Sequence, residues 1–325
     1  MKRINMMEDK LFEGLFKAPT KEEIEERHNG YRVNPENMSF WLPAIENAKQ
    51  VTGSSLLIPK TKIVQMTTET RRWLETDNYQ KEAVEEFNNQ LNKELEGFLP
   101  EQKLFIKTGI FSNKFEFNTT MVTDRTKIGQ QMLDIFYASL VLGAFETMEF
   151  VFREFIEDVE CNETIYKGMP LKTEFRVFYD FDIQKVIGIS NYWNPEVMIK
   201  NLVDDSITAV ATSKENIKEI LEKIISTENF QELKSYQQED LLNGLAYLKG
   251  VDKLEKEYAL YKEFVIREIE ALFVNGSYLT GRWSIDVMKN GKDFYVIDMA
   301  RMNRSSLVEQ MEDVNEKESS NKTEE

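Results

Sequence analysis

The sequence is poor in specialised side chains. Its 325 residues include one histidine, His28, and one cysteine, Cys161. A Ser-His-Asp triad, a Cys-His dyad or a poly-His metal site would each have to use that single imidazole. A Cys-rich zinc site is excluded. No disulfide can close within one chain, which fits a reducing compartment. Apolar runs are short as well, and none approaches the roughly 20 residues that span a bilayer. No apolar segment follows Lys2 and Arg3, so a signal peptide is not expected and the location read is cytoplasmic. Chemistry is left to carboxylates, Lys, Arg, hydroxyls, backbone groups or a cofactor.

Charge is abundant by contrast. Lys and Arg total 41 and Asp and Glu 57, a net of −16, while 41% of the residues are hydrophobic and 11% aromatic. That balance is globular, and the sign argues against nucleic acid or an anionic membrane as a partner. A local basic pocket is compatible with it. Residues 309–325 (EQMEDVNEKESSNKTEE) hold seven acids and two bases, a net of −5, and almost nothing that can pack. This tail is expected to be disordered.

Spacing predicts the elements. Thr20 and Glu23 form a capping box for an early polar helix ending near His28-Asn29-Gly30, with His28 exposed at its end. Residues 38–50 carry aromatics and a proline in an entrance segment. Residues 55–66 read as a strand, and 78–98 as a helix with Ala83, Phe87, Leu91 and Leu95 on its apolar face. Short strands are expected at 104–107 and 114–120, a helix at 126–145, and a strand at 150–156. Two strands, 172–179 and 185–190, flank Asp180-Phe181-Asp182. Residues 194–273 are mostly helical. Strands at 283–288 and 294–299 are joined by a hairpin signal at Asn290-Gly291. Helices come in blocks between antiparallel pairs, an α+β arrangement.

Four segments could carry chemistry. In KLFIKTGIFSNKF, a strand ends in Lys107 before a loop holding Gly109 and Ser112, where small residues let backbone N–H groups approach an anion. The alternative is an exposed Lys beside an ordinary turn. In TEFRVF, Glu174 and Arg176 share one strand face, as a pocket floor that grips an anion or as a solvated ion pair. In the late hairpin, Asp286 and Asp298 sit inside apolar strands, against strand propensity. A strict Asn290-Gly291 turn puts them on opposite faces. A bulge or odd loop puts them on one face, where a hard cation would relieve their repulsion. In EFVFREFIEDVE, an apolar strand runs into acids and offers backbone groups to a flat heterocycle, or is simply a strand end.

The order of these segments resembles the ATP-grasp superfamily. FWLPAIENAKQ with SLLIPKT, FREFIE, TEFRVF with VIGISNYW, and WSIDV with FYVIDM are most similar to one branch. The eukaryotic members of that branch are cell-division-cycle proteins acting as assembly chaperones for a translation initiation factor. The resemblance implies two α+β subdomains of antiparallel sheet with helices, holding a nucleotide between them. Residues 1–37 would be a helical extension, 38–146 the N-terminal subdomain, and 147–308 the C-terminal subdomain with a helical insertion at 194–273.

It also implies roles. Lys107, beneath the loop from Gly109 to Ser112, would contact the phosphates of ATP, and Lys60 would be a second phosphate lysine. Arg153, Glu154, Phe155 and Ile156 would form the hinge reading adenine, with Glu157 or Asp158 near the ribose. Arg176 would hold a phosphate or acyl-phosphate group, supported by Glu174, so that Arg176 and Lys107 are the catalytic candidates. Asp286 and Asp298 would bind Mg²⁺. The family's last motif runs Asp/Glu-x-Asn, whereas this chain reads Asp298-Met299-Ala300. Ala300 offers no ligand atom, and Asn303 is the nearby substitute.

Two readings of function follow. One is a Mg·ATP-dependent ligase that activates a carboxylate as an acyl phosphate for attack by an amine. The other is a non-catalytic, ATP-using assembly chaperone or binding module. Ala300 leaves turnover open, and the carboxylate-bearing small molecule or protein partner is not identified by the sequence. A covalent nucleotidyltransferase using Lys107 ranks below both, because Lys107-Thr108-Gly109 lacks Lys-x-x-Gly spacing.

Overall fold

The computed structural model describes residues 19–76, 79–211 and 213–314. Helix α1 (Lys21–Arg32) starts at the Thr20 capping box, where Thr20 Oγ1 accepts from the Glu23 N–H and the Glu23 carboxylate accepts from the Thr20 N–H. Next come α2 (Met38–Val51), β1 (Thr61–Gln65), α3 (Thr68–Glu75), α4 (Lys81–Glu94) and β2 (Leu104–Thr108). A 3₁₀ turn at Lys114–Glu116 leads into α5 (Phe117–Thr120), β3 (Met121–Val122), α6 (Ile128–Val141) and β4 (Glu149–Glu154). The ribbon β5 (Thr164–Ile165) and β6 (Met169–Pro170) precedes β7 (Glu174–Asp180) and β8 (Lys185–Asn191). Four helices follow: α7 (Pro195–Leu202), α8 (Asp205–Thr208), α9 (Lys214–Ile225) and α10 (Ser235–Leu272). The chain closes with β9 (Arg282–Asn290), β10 (Asp293–Arg301) and β11 (Glu312–Asp313).

The expected α+β class is observed. One antiparallel sheet has the order β1-β4-β2-β3 and the other β10-β9-β7-β8-β11. On β7, Phe175, Val177 and Tyr179 enter a core shared with α2 and the C-terminal half of α10, while Glu174 and Arg176 take the opposite face. The four-stranded sheet rests on α4 and α6 through Phe87, Phe136, Phe150 and Phe152. A third core, containing Trp193, Leu221 and Leu254, joins α7, α9 and the first half of α10. With 38 residues, α10 is about 57 Å long and serves two of these cores. No described helix is long and apolar enough to cross a membrane.

Several expectations need correction. Residues 114–120 are not a strand. Thr119 and Thr120 hydroxyls donate to the carbonyls of Glu116 and Phe117, and such local bonds favour a turn over a ladder. Within 55–66, strand structure is confined to β1 and an isolated bridge from Leu57 to Tyr295. His28 is not exposed. The helix continues to Arg32 and buries the imidazole completely, 3.8 Å from Glu75. The tail expected to be disordered is ordered as far as Val314: Glu312 and Asp313 pair with Ile189 and Gly188. Residues 315–325 and residues 1–18 lie outside the described residues. The segment before β11 crosses the sheet face that carries Arg176. Ser190 Oγ donates to the Leu307 carbonyl at 3.0 Å. Met311 covers Gly188 so closely that a Cβ there would sit 2.2 Å from its Cγ.

Candidate functional site

The residues singled out in the hairpin come together through one irregularity. The turn residues are Gly291 and Lys292, because Asn290 pairs with Asp293. Gly291 has φ +63°, as the first position of a type II′ turn demands. The ladder then runs regularly from Asn290–Asp293 to Val287–Val296 and skips Ile297, so that Asp286 is paired with Asp298. A bulge of this kind moves every later side chain to the other face, and the two carboxylates therefore share one.

Each carboxylate is met by a cation from another strand. Lys107 Nζ, at the end of β2, lies 3.1 and 3.0 Å from the two oxygens of Asp298. Arg176 Nε and Nη2, from β7, donate to the two oxygens of Asp286, both at 2.8 Å. Burial works against the Arg176 charge, but Asp286 outweighs it and raises the pKa. The remaining Nη1 donates to Ser306 Oγ at 2.6 Å. The Tyr192 ring has the Arg176 guanidinium 4.8 Å and Lys114 Nζ 4.5 Å from its centroid, and its hydroxyl accepts from Lys114. Burial opposes the Lys114 charge, yet Tyr192 and Glu174 together hold its pKa above the ordinary lysine value. Burial pushes Glu174 up to about 7 against the pull of Lys114. No hydrogen bond or ion pair holds its carboxylate among the described residues.

These groups form one end of a cavity of about 160 Å³ between the two sheets. Its other end is apolar, walled by Phe105, Phe117, Phe155, Met169, Trp193 and Met288. Lys172 also lines it and donates to the Ile156 carbonyl at 2.6 Å. Burial lowers the Lys172 pKa. The arrangement thus sets aromatic and aliphatic walls beside paired cations and carboxylates in one cleft.

The structure brings together Lys107, Ser112, Arg153, Glu154, Phe155, Ile156, Glu174, Asp286 and Asp298 around this cavity, with Arg176 bonded to Asp286 behind them. Other sequence candidates lie elsewhere. The Lys60 ammonium turns to the Gly97 carbonyl, 4.9 Å from the Phe98 ring centroid. Gly109 is crowded by protein instead of being open to an anion: a Cβ would lie 2.4 Å from Thr147 Oγ1 and 2.9 Å from Glu149 Oε2. Glu157 pairs with Lys103 at 2.7 Å. Asp158 accepts from the Asn162 backbone N–H at 2.7 Å and fastens a turn. Asn303 lines a separate groove and not this cavity.

Arg153 does something other than face a ring. Its Nε donates to Thr61 Oγ1 at 3.0 Å, Nη1 donates to the Ile297 carbonyl, and Nη2 lies 3.4 Å from the Val296 carbonyl. It clamps the bulge, and burial lowers its pKa to about 10. Sequence reasoning missed Lys114, Lys172 and Tyr192. Lys172, Glu174 and Arg176 follow a period of two, which is the signal that could have found Lys172.

No family model and no curated protein matches the sequence. Among solved structures the chain is similar to Cdc123 from Schizosaccharomyces pombe, at 14% identity and TM-score 0.43, over 86% of this chain and 91% of that one. It is similar to D-alanine–D-alanine ligase from Bacillus anthracis complexed with ATP, at 10% identity and TM-score 0.31, over 82% of this chain and 53% of that one. It is also similar to a RimK domain protein ATP-grasp from Sphaerobacter thermophilus, at 10% identity and TM-score 0.31, over 84% and 61% of the two chains. Solved structures similar to this chain thus include those of Cdc123 and of ATP-grasp proteins.

Proposed function

We propose that the cleft between the sheets binds Mg·ATP and that the protein is an ATP-dependent ligase acting on a carboxylate. One observation carries the reading: aromatic and aliphatic side chains line the same cleft as Lys107, Lys114, Asp286 and Asp298. An adenine ring would pack against those walls, and its phosphates would reach the lysines. Asp286 and Asp298 are hard oxygen donors of the kind Mg²⁺ takes, and Mg²⁺ is commonly held by one or two carboxylates plus substrate phosphates. Among the described residues no group of three His, Cys, Asp or Glu side chains adds a further ligand. The ion would neutralise phosphate charge and polarise the transferred group. All four carboxylate oxygens now accept from Lys107 and Arg176. Both cations would therefore turn from carboxylate to phosphate when the ion arrives, which is the charge neutralisation that phosphoryl transfer requires. In the ligase reaction a carboxylate oxygen attacks the γ-phosphorus and ADP departs. An amine then displaces phosphate from the acyl carbon.

A second reading has its own support. Ala300 supplies no donor where the family motif has Asn, and Asn303 lies outside the cleft. That favours nucleotide binding without turnover, as in an assembly module. Both readings require Mg·ATP to raise the melting temperature, since a ligand that binds only the folded state at 100 times its Kd adds about 2.7 kcal/mol. Lys107→Ala should abolish the shift, and no shift at millimolar Mg·ATP refutes both. ADP release on adding an amino-acid or peptide library selects the ligase; its absence beside a clear shift selects the module.

A further inference from the structure

The segment that joins β10 to β11 lies on the sheet face that carries Arg176, and a short series of contacts holds it there. Arg176, Ser190 and Asp286 stand in one row on that face, because β7 pairs Arg176 with Ser190 on one side and with Asp286 on the other. The segment crosses the row at Ser306 and Leu307. Arg176 Nη1 donates to Ser306 Oγ at 2.6 Å and to the Ser306 carbonyl at 3.2 Å. Ser190 Oγ donates to the Leu307 carbonyl at 3.0 Å, and the Ser305 and Ser284 hydroxyls are 2.6 Å apart. Leu307 has φ +67°, a conformation that a leucine keeps only where its surroundings impose it. Met311 rests on Gly188, and β11 adds only two residues to the β8 edge. Glu312 completes the fastening, accepting from the Tyr258 hydroxyl at 2.9 Å and from Lys262.

One guanidinium therefore ties the cleft to this segment. Nε and Nη2 of Arg176 hold Asp286, both at 2.8 Å, while Nη1 holds Ser306. A guanidinium is a rigid planar fork. Turning Nε and Nη2 from Asp286 to a phosphate turns Nη1 away from Ser306 as well. What then keeps the segment down is a strained Leu307, a two-residue strand and a few side-chain contacts.

We propose that the segment from Ser305 to Asp313 is a latch worked by the nucleotide: Mg·ATP draws Arg176 off Ser306, and the segment lifts from β8 and bares that sheet edge. The latch rests on the Mg·ATP site proposed above. Closed latch and nucleotide compete for the same guanidinium. By linkage, anything that lifts the latch frees Arg176 for phosphate and tightens nucleotide binding.

The test is hydrogen exchange read by mass spectrometry on the full chain, with and without millimolar Mg·ATP. Bound nucleotide should slow exchange in β2 and β4, which carry Lys107 and Arg153. In the same samples the amides of 307–314 should exchange about tenfold faster or more, the size expected for losing one charge-assisted hydrogen bond. Two substitutions outside the cleft lining work the latch without nucleotide. Gly188→Ala would place a Cβ 2.2 Å from Met311 Cγ and push the segment off. Ser306→Ala removes the hydroxyl that Arg176 grips. Each should speed exchange in 307–314 in the nucleotide-free protein and tighten Mg·ATP by about fivefold or more in a calorimetric titration. A segment that is only a structural strap would leave that affinity unchanged or weaken it. Should Gly188→Ala fail to fold, Ser306→Ala carries the test alone. Unchanged or slower exchange in 307–314 beside protected β2 and β4, or unchanged or weaker affinity in Ser306→Ala, overturns the latch and leaves the nucleotide reading standing. No protection at β2 and β4 overturns both.

Discussion

Arg153, on the central strand of one sheet, hydrogen-bonds the carbonyl of Ile297 on the edge strand of the other. Ile297 is the residue that the β9–β10 ladder skips, so its carbonyl has no ladder partner there. The guanidinium supplies one and fixes the irregularity that brings Asp298 opposite Asp286.

Arg153→Met should therefore cost more than a surface arginine would. Leaving a buried carbonyl unpaired costs about 1–3 kcal/mol, and urea unfolding would measure it. The same variant should lose the Mg·ATP melting shift, because Asp298 is no longer held on the face of Asp286. Wild-type stability in this variant would show that the clamp is incidental.

The Arg176–Asp286 pair is almost fully withdrawn from water, with side-chain exposures of 11% and 9%. Removing one partner should destabilise by about 3–5 kcal/mol, whereas replacing both with apolar side chains should come close to neutral. Chemical denaturation of Arg176→Met, Asp286→Leu and the double variant tests this. A double variant as unstable as the sum of the singles would contradict it.

Glu174 gives stability a pH signature. Burial raises its pKa from 4.5 to about 7 in the folded chain. The folded state then binds the extra proton, so this group's contribution is complete below pH 4.5 and is lost as pH rises through 7. Glu174→Gln should gain melting temperature relative to wild type at about pH 8 and show little difference at about pH 5. An advantage that does not grow with pH would exclude the raised pKa.

His28 behaves oppositely. Burial lowers its pKa below 6.5 against the opposing pull of Glu75, while Arg71, Arg27 and Arg32 reinforce the lowering. Among the described residues neither ring nitrogen has a hydrogen-bond partner. Its contribution is complete above pH 6.5 and is lost as pH falls below that value. Thermal melts of His28→Leu should show a shallower loss between about pH 7 and pH 5.5 than wild type. Parallel slopes would count against the buried neutral imidazole.

Period-two patterning made β7 and the hairpin strands readable before any coordinates. The Thr20 capping box marked the first helix start. The pairing of Asp286 with Asp298 was not readable, because it depends on a bulge whose carbonyl is held by Arg153, 144 residues away from Ile297 in the chain. Asn290-Gly291 looked like the turn, but the ladder closes one residue later, around Gly291-Lys292. Lys114 was hidden because alternating Phe115 and Phe117 imitate a strand, while threonine hydroxyls coil that stretch. Gly109 looked like room for an anion; Thr147 and Glu149, distant in sequence, occupy that room.

The two ion pairs at the cleft have a consequence for how it fills. Lys107 is matched to Asp298 and Arg176 to Asp286, so neither sign can be taken up alone. An anion that captures the lysine strands a carboxylate, and a metal ion that captures the carboxylate strands a lysine. Stranding Lys107 or either member of the buried Arg176–Asp286 pair is expensive, whereas Asp298, with 39% of its side chain exposed, can turn to water. If the cleft binds Mg·ATP as proposed, it would act as a double exchanger, admitting anion and cation together. Free ATP and free Mg²⁺ should each bind far more weakly than their complex.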